Sequence, residues 1–506
     1  MDSAKRIIVN TGVQYVKAII TTCLSLYSTR LILDALNVND FGVYSVIAGV
    51  VAMLGFITNA LIITTQRYLS VYRTQKDTTF MGKLFSNSLL IHLAFGLLIS
   101  FVLLSIEGLL FEHILNIDSA RIPTAKTVYV IAVLMLLITI LTSPFKALFI
   151  AHENIIYIAT VEIADSIIKV ILAIGLAYIT IDKLLVYAGM MAVIVFLNLL
   201  AFSIYGMIRF KECSVIIRRK DIDKTHIKNL MSFAGWTTYG MACVAARNQG
   251  TAVVLNHFFG TIANAAYGIA FQINGAIVFL VASIQNAMNP QLMQAEGSGN
   301  REKMLQMAAQ QSKFSVAILT LAILPLAAEM PAILDLWLKE VPEGTTMFCR
   351  FILLAFLTDQ ITLGLSSANQ AIGHIRTFTL LTYTPKLIYL WVIWLMLSQG
   401  ESSESVMILY VVVELGVALI RIPYMKHKAG LHVLSYCKVV IIPLTIHASI
   451  VAGVCWLCTA YITLPYRFLV TICFAVITGV ATGWILILNS SERSYTKSII
   501  KKMIGI

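Results

Sequence analysis

Long apolar runs, each sufficient to cross a bilayer, recur about fourteen times along this chain. A spanning helix needs about 20 mostly apolar residues. Hydrocarbon offers no partner to a backbone amide, so a spanning segment must be a helix or part of a closed barrel. The runs are continuous rather than alternating, which selects helices. The expected fold is therefore an all-α integral membrane protein with about 14 transmembrane helices.

Of the 506 residues, 59% are hydrophobic and 12% are charged, against about 25% charged in a soluble domain. A net charge of +12 would point to nucleic acid in a soluble chain. Between apolar runs it is explained by loops that face anionic lipid, so no nucleic-acid partner is expected. Arg209, Lys211, Arg218, Arg219, Lys220, Lys224 and Lys228 crowd one segment, whereas the loops expected outside hold Arg121, Lys183 and Lys339. This asymmetry places both termini in the cytoplasm. The apolar stretch after Met1 continues to about Leu36 without a small-residue cleavage site, which reads as a retained first helix.

The same basic segment divides the chain. Residues 1–208 form an expected N-terminal six-helix lobe, 209–227 a basic cytoplasmic linker, and 228–424 a second six-helix lobe. Residues 425–488 add two helices, and 489–506 form a basic cytoplasmic tail. The eight cysteines are scattered. Cys455-x-x-Cys458 has no partner pair, so packing rather than metal or redox chemistry is expected there.

Polar residues at helical spacing mark surfaces that avoid lipid. Asn10, Gln14, Lys17, Thr21, Ser25 and Ser28 form one stripe; Asp359, Thr362, Ser366 and Asn369 form another, with Gln370 beside it. A charge in mid-membrane costs about 2.5–3.5 kcal/mol on insertion scales, so Lys17 and Arg247 call for a purpose or a partner. Asp165 and Lys169, four apart, are expected to pair, as are Glu414 and Arg421 on a later helix. Glu329 and Asp359 have no such partner on their own helices, which makes Asp359 a candidate for charge balancing or for a coupling ion. The extramembrane segments contain no nucleotide loop, metal-ligand cluster or nucleophile–base pair, so neither an enzyme nor a cofactor is expected.

Several stretches resemble the bacterial polysaccharide-transporter branch of the multidrug/oligosaccharidyl-lipid/polysaccharide exporter superfamily, which includes O-antigen and capsule-repeat flippases. They are Thr29-Arg30-x-x-Leu33 with Phe41-Gly42-Val43-Tyr44, Thr64-Thr65-Gln66-Arg67-Tyr68, Ala151-His152-Glu153, Ser232-Phe233-Ala234-Gly235-Trp236, Leu255-Asn256-His257-Phe258-Phe259-Gly260, Asn289-Pro290-Gln291 and Asn369-Gln370-Ala371-Ile372-Gly373. Asn37 departs from the glycine common in relatives at the turn after the first span.

The resemblance implies two six-helix lobes in a V, alternating access, and export of a polyprenyl-pyrophosphate-linked oligosaccharide from the inner to the outer leaflet of the bacterial cytoplasmic membrane. Membrane lipids and polysaccharide polymerase machinery are the implied partners. Such a substrate needs cations for phosphate and polar groups for sugar. Lys17, Arg67, Arg247, Gln249, Asn289 and Gln370 are the expected binding residues. A lipid II flippase and a cation-coupled multidrug antiporter of the same superfamily are the competing readings.

Overall fold

The computed structural model describes residues 3–52, 54–73, 78–114, 117, 119–213, 222–338, 341–464, 466–490 and 492–494. Arg218, Arg219, Lys220 and Lys339, and the tail from 495, lie outside them. No strand occurs among the described residues. The chain begins with α1 (Ser3–Ala52), α2 (Gly55–Tyr72), α3 (Thr78–Ser105) and the single turn α4 (Glu107–Leu109). It continues through α5 (Ile122–Ala151), α6 (Ile155–Leu176), α7 (Lys183–Arg209) and α8 (Lys224–Gly297). Next come α9 (Arg301–Ala328), α10 (Met330–Trp337), α11 (Thr345–Gln360), α12 (Leu363–Ile372) and α13 (Ile375–Ser398). The last are α14 (Ser403–Ala429), α15 (Val433–Tyr436), α16 (Ile442–Tyr461) and α17 (Arg467–Thr482).

Local chemistry sets many of these boundaries. Asp182 accepts from the backbone N–H groups of Leu184 and Leu185 to start α7, and Asp223 does the same for Thr225 and His226 at α8. Asn300 and Ser402 cap α9 and α14 in the same way. Gly373 and Gly430 end α12 and α14 in the left-handed conformation that glycine tolerates. Inside α8, Gly260 adopts φ 75° and ψ −164°, a conformation that breaks the helix in two. That break separates the spans expected at 228–256 and 263–290. At the expected first turn the outcome differs: α1 continues through residues 37–40, which contain neither glycine nor proline.

Among the described residues, 10 helices are long and apolar enough to cross a membrane, or 11 if α11 and α12, bent by 46°, form one span. The expected count of fourteen is not reached by this measure. The span expected at 41–69 is divided between the end of α1 and α2, while those expected at 155–179 and 228–256 are helical as α6 and the first half of α8. Gln66 and Arg67, then Glu162, Asp165 and Lys169, then Arg247, Asn248 and Gln249 make them the more polar helices. Polar and charged side chains thus lower the hydropathy of these helices.

The chain packs as two compact units. Unit 1 comprises Met1–Met241 and Asn289–Gly299; unit 2 comprises Ala242–Met288 and Asn300–Ile506. The division falls inside α8 rather than in the segment 209–227. Unit 1 is built on two apolar clusters, one around Leu36, Tyr129 and Leu184 and one around Phe85, Phe145, Phe149 and Phe202. In unit 2, α9 and α12 touch so closely at Gly364 that a Cβ there would meet the Ala308 backbone. The Gly364 N–H donates to Ser312 Oγ at 2.9 Å. Phe101, Ile208, Trp391 and Leu434 are each more than two-thirds exposed. Such outward-facing apolar side chains are a liability in water and natural against lipid. The protein is a multi-pass membrane protein.

Candidate functional site

In unit 1, the polar stripe of α1 faces α6. A cleft of about 410 Å³ opens along it, lined by Thr21, Thr22, Ser25, Ser28, Ser166 and Lys169. Asn10 and Gln14 extend the stripe as buried residues. Lys17 Nζ lies 2.8 Å from Glu162 on α6, and Lys146 Nζ from α5 reaches the other oxygen of that carboxylate at 3.0 Å. All three side chains keep partial exposure. One turn along α6, Lys169 pairs with Asp165 at 2.7 Å, as its spacing predicts. Asp165 also accepts from Asn198 at 2.7 Å.

Unit 2 repeats the motif with different residues and deeper burial. Arg247 on α8 forms an ion pair with Glu414 on α14, and Lys386 on α13 bonds both oxygens of the same carboxylate at 2.5 and 2.7 Å. The three side chains are 7%, 4% and 6% exposed, so water does little to screen them. The Arg247 guanidinium also lies over the Tyr410 ring, 4.2 Å from its centroid. Beside this triad, Arg421 Nη2 donates to Asp359 at 2.7 Å and Nη1 donates to the Asp359 carbonyl at 3.1 Å. Lys386 feels the charge of Asp359 as well as that of Glu414, which makes the five charged groups one electrostatic neighbourhood. Three cations face two carboxylates.

These contacts correct the sequence-based pairing. Glu414 is the partner of Arg247 and Lys386, not of Arg421. Arg421 is held by Asp359, and Glu329 is held by Arg467, with Nε at 2.9 Å, and by Thr471 at 2.7 Å. Arg247 therefore has a carboxylate partner within the protein. Lys146, Glu162 and Lys386 were missing from the expected set. The signal for Lys386 was available, because it is a lysine beside Pro385 inside an otherwise apolar run.

The six expected binding residues divide equally between the units. Lys17, Arg67 and Asn289 belong to unit 1, and Arg247, Gln249 and Gln370 to unit 2. Arg67 is buried, with its guanidinium 4.6 Å from the Tyr68 ring centroid and 5.0 Å from that of Phe233, in the field of Glu296. Gln249 is exposed although Arg247, two residues earlier, is buried, so they occupy different faces of α8. Asn289 and Gln370 are half-buried. Cys455 and Cys458 are buried free thiols, with Cys455 packed against Val451 and Ala475.

The polysaccharide biosynthesis protein family matches residues 3–296. None of the curated proteins matches the chain. Among solved structures, the fold is similar to that of a MOP superfamily transporter from Pyrococcus furiosus whose binding pocket has reversed polarity. The TM-score is 0.73 at 13% identity, covering 85% of this chain and 96% of that one. An outward-facing multidrug resistance MATE family transporter gives a TM-score of 0.72 at 13% identity, covering 87% and 97%. A Vibrio cholerae MATE transporter gives 0.70 at 14%, covering 85% and 98%. At these identities the likeness establishes the fold alone. The family match covers more than half of the sequence: the chain belongs to the polysaccharide biosynthesis protein family.

Proposed function

We propose that this protein is a flippase that moves a polyprenyl-pyrophosphate-linked oligosaccharide from the inner to the outer leaflet of the bacterial cytoplasmic membrane by alternating access, for surface polysaccharide synthesis. The observation that carries this reading is the sign of the charge clustered between helices in each unit. Each unit holds two cations on one glutamate, Lys17 and Lys146 on Glu162, and Arg247 and Lys386 on Glu414. Each cluster thus has one positive charge in excess, which suits a phosphate-bearing head and opposes a cationic drug. Arginine can engage phosphate oxygens through two parallel bonds, and lysine supplies a point charge. The polar cleft along α1 has the hydroxyl lining that a sugar would need.

Reconstitution into liposomes with defined polyprenyl-pyrophosphate sugars tests this reading through exposure of the sugar at the outer leaflet. Failure with every such lipid, together with efflux of small organic cations, would establish the multidrug antiporter instead. Orientation is tested separately. A cysteine introduced at Lys211 should be shielded from an impermeant reagent in intact cells, and one at Gly400 should react; the opposite pattern inverts the topology.

A further inference from the structure

At one end of unit 1, helix termini surround a second cleft of about 650 Å³, whose lining includes none of Lys17, Lys146 and Glu162. Its walls come from α1 at Val9 and Asn10, the end of α2 at Arg73, the α5–α6 turn at residues 152–154, and the end of α7 from Tyr205 to Glu212. Burial and exposure alternate along the last of these. Phe210 and Glu212 are buried, whereas Arg209 and Lys211 are exposed. The Phe210 ring packs 4.2 Å from the His152 ring and against Phe149, and the Phe210 carbonyl accepts from the Cys213 N–H at 3.0 Å.

The acidic groups of this cleft are already engaged. Glu212 bonds His152 Nε2 at 2.5 Å. Burial pushes the Glu212 carboxyl up, but the His152 hydrogen bond and the charge of Arg73 more than offset this and hold it below the ordinary range. Glu153 accepts from Gln291 and Gln294, both at 3.1 Å, while its carbonyl accepts from Asn10 at 3.4 Å. It also lies 4.0 Å from Arg73, whose Nη1 donates to the Ala151 carbonyl at 2.9 Å. Arg209 and Lys211, in contrast, have no hydrogen-bonding or ion-pair partner among the described residues. They are fixed by buried neighbours and face a cavity that also presents Val9, Ile156 and Tyr205.

From this juxtaposition of two unpaired cations with an apolar wall at the ends of membrane helices, we infer that the cleft is a seat for a lipid-borne phosphate, with Arg209 and Lys211 holding the anionic headgroup and Ile156 and Val9 lying along its glycerol and acyl stem. The inference is independent of the flippase reading, because binding here requires no transport.

Titration of phosphatidylglycerol into the detergent-solubilised full-length protein, followed by the thermal midpoint, tests it. Phosphatidylglycerol should raise the midpoint, and phosphatidylcholine and inorganic phosphate should not. The double variant Arg209→Gln/Lys211→Gln should melt normally without lipid yet require at least about tenfold more phosphatidylglycerol for the same shift, the order expected from losing charge-assisted bonds. A second variant, Lys426→Gln/Lys428→Gln, removes an exposed basic pair on α14 and should respond as the parent does. An equal loss in both variants would mean diffuse attraction to surface charge, and would overturn the site. So would an unchanged response in the first variant, or a full shift with inorganic phosphate alone. Farnesyl pyrophosphate shifting the parent more strongly than phosphatidylglycerol, and losing that shift in the Arg209→Gln/Lys211→Gln variant, would overturn the phospholipid assignment in favour of a polyprenyl occupant.

Discussion

Glu414 holds two buried cations at once, and the consequences of mutation there are asymmetric. Glu414→Gln leaves Arg247 and Lys386 facing each other without a counter-charge, and stranding buried charge costs about 3–5 kcal/mol. Lys386→Gln leaves Arg247 and Glu414 balanced, so its thermal midpoint should fall markedly less. The reverse order in detergent melts would show that Glu414 is not the keystone. At comparable protein levels, transport should decline from Arg247 to Arg247→Lys to Arg247→Ala, because lysine keeps the charge but not the planar fork. Full activity in the alanine variant would remove Arg247 from the substrate path. Asp359→Asn should alter transport at near-normal membrane abundance; disappearance of the protein from the membrane would make its pair with Arg421 structural alone. The cost of a mid-membrane charge made Lys17 and Arg247 visible in the sequence. Their partners were not, since Glu162 and Glu414 lie 145 and 167 residues away. Spacing along one helix finds Asp165 with Lys169 and cannot find a pair made between helices.

At the scale of elements, the positions of nearly all helices were readable, because apolar length is a direct requirement of the bilayer. Departures from straight helix were harder to see. The 46° bend between α11 and α12 falls at Ile361 and Thr362, where neither glycine nor proline announces it. The bend brings Gly364 against α9, where the missing side chain matters more than backbone freedom. Gly364→Ala should push α12 from Ala308 and strain the Ser312 hydrogen bond, a loss of about 1–3 kcal/mol by overpacking. A midpoint equal to the parent's would mean that the helices separate without cost. The segment after the last span is also tied down. Lys313, buried on α9, bonds Glu492 at 2.8 Å, and Gln310 donates to the same carboxylate at 3.1 Å. Hydropathy carries no sign of that contact, since a terminal glutamate looks like solvated tail.

Across the whole molecule, excess positive charge in the spans has an electrical counterpart in the expected cargo. Moving one negative charge outward across an inside-negative membrane gains about 2.3 kcal/mol per 100 mV. A diphosphate head carried without a compensating cation should therefore flip faster as the potential grows. A rate unchanged when vesicles are clamped to zero potential would exclude this source of work. The more polar helices raise a different problem, which arises before the protein has any function. As each of α2, α6 and the first half of α8 leaves the ribosome, it meets the insertion machinery without the partner that will neutralise it. Each has a strongly apolar neighbour in α3, in α5 and α7, or in Ala265–Gly297. Entry as a hairpin with that neighbour offsets the cost of the charge. Glycosylation mapping should thus find residues 224–259 outside the bilayer in a chain truncated after Phe259, and inside it once synthesis has passed Asn300. The Gly260 break then serves biogenesis, as the crease that lets a helix too polar to enter alone be folded in beside one that is not.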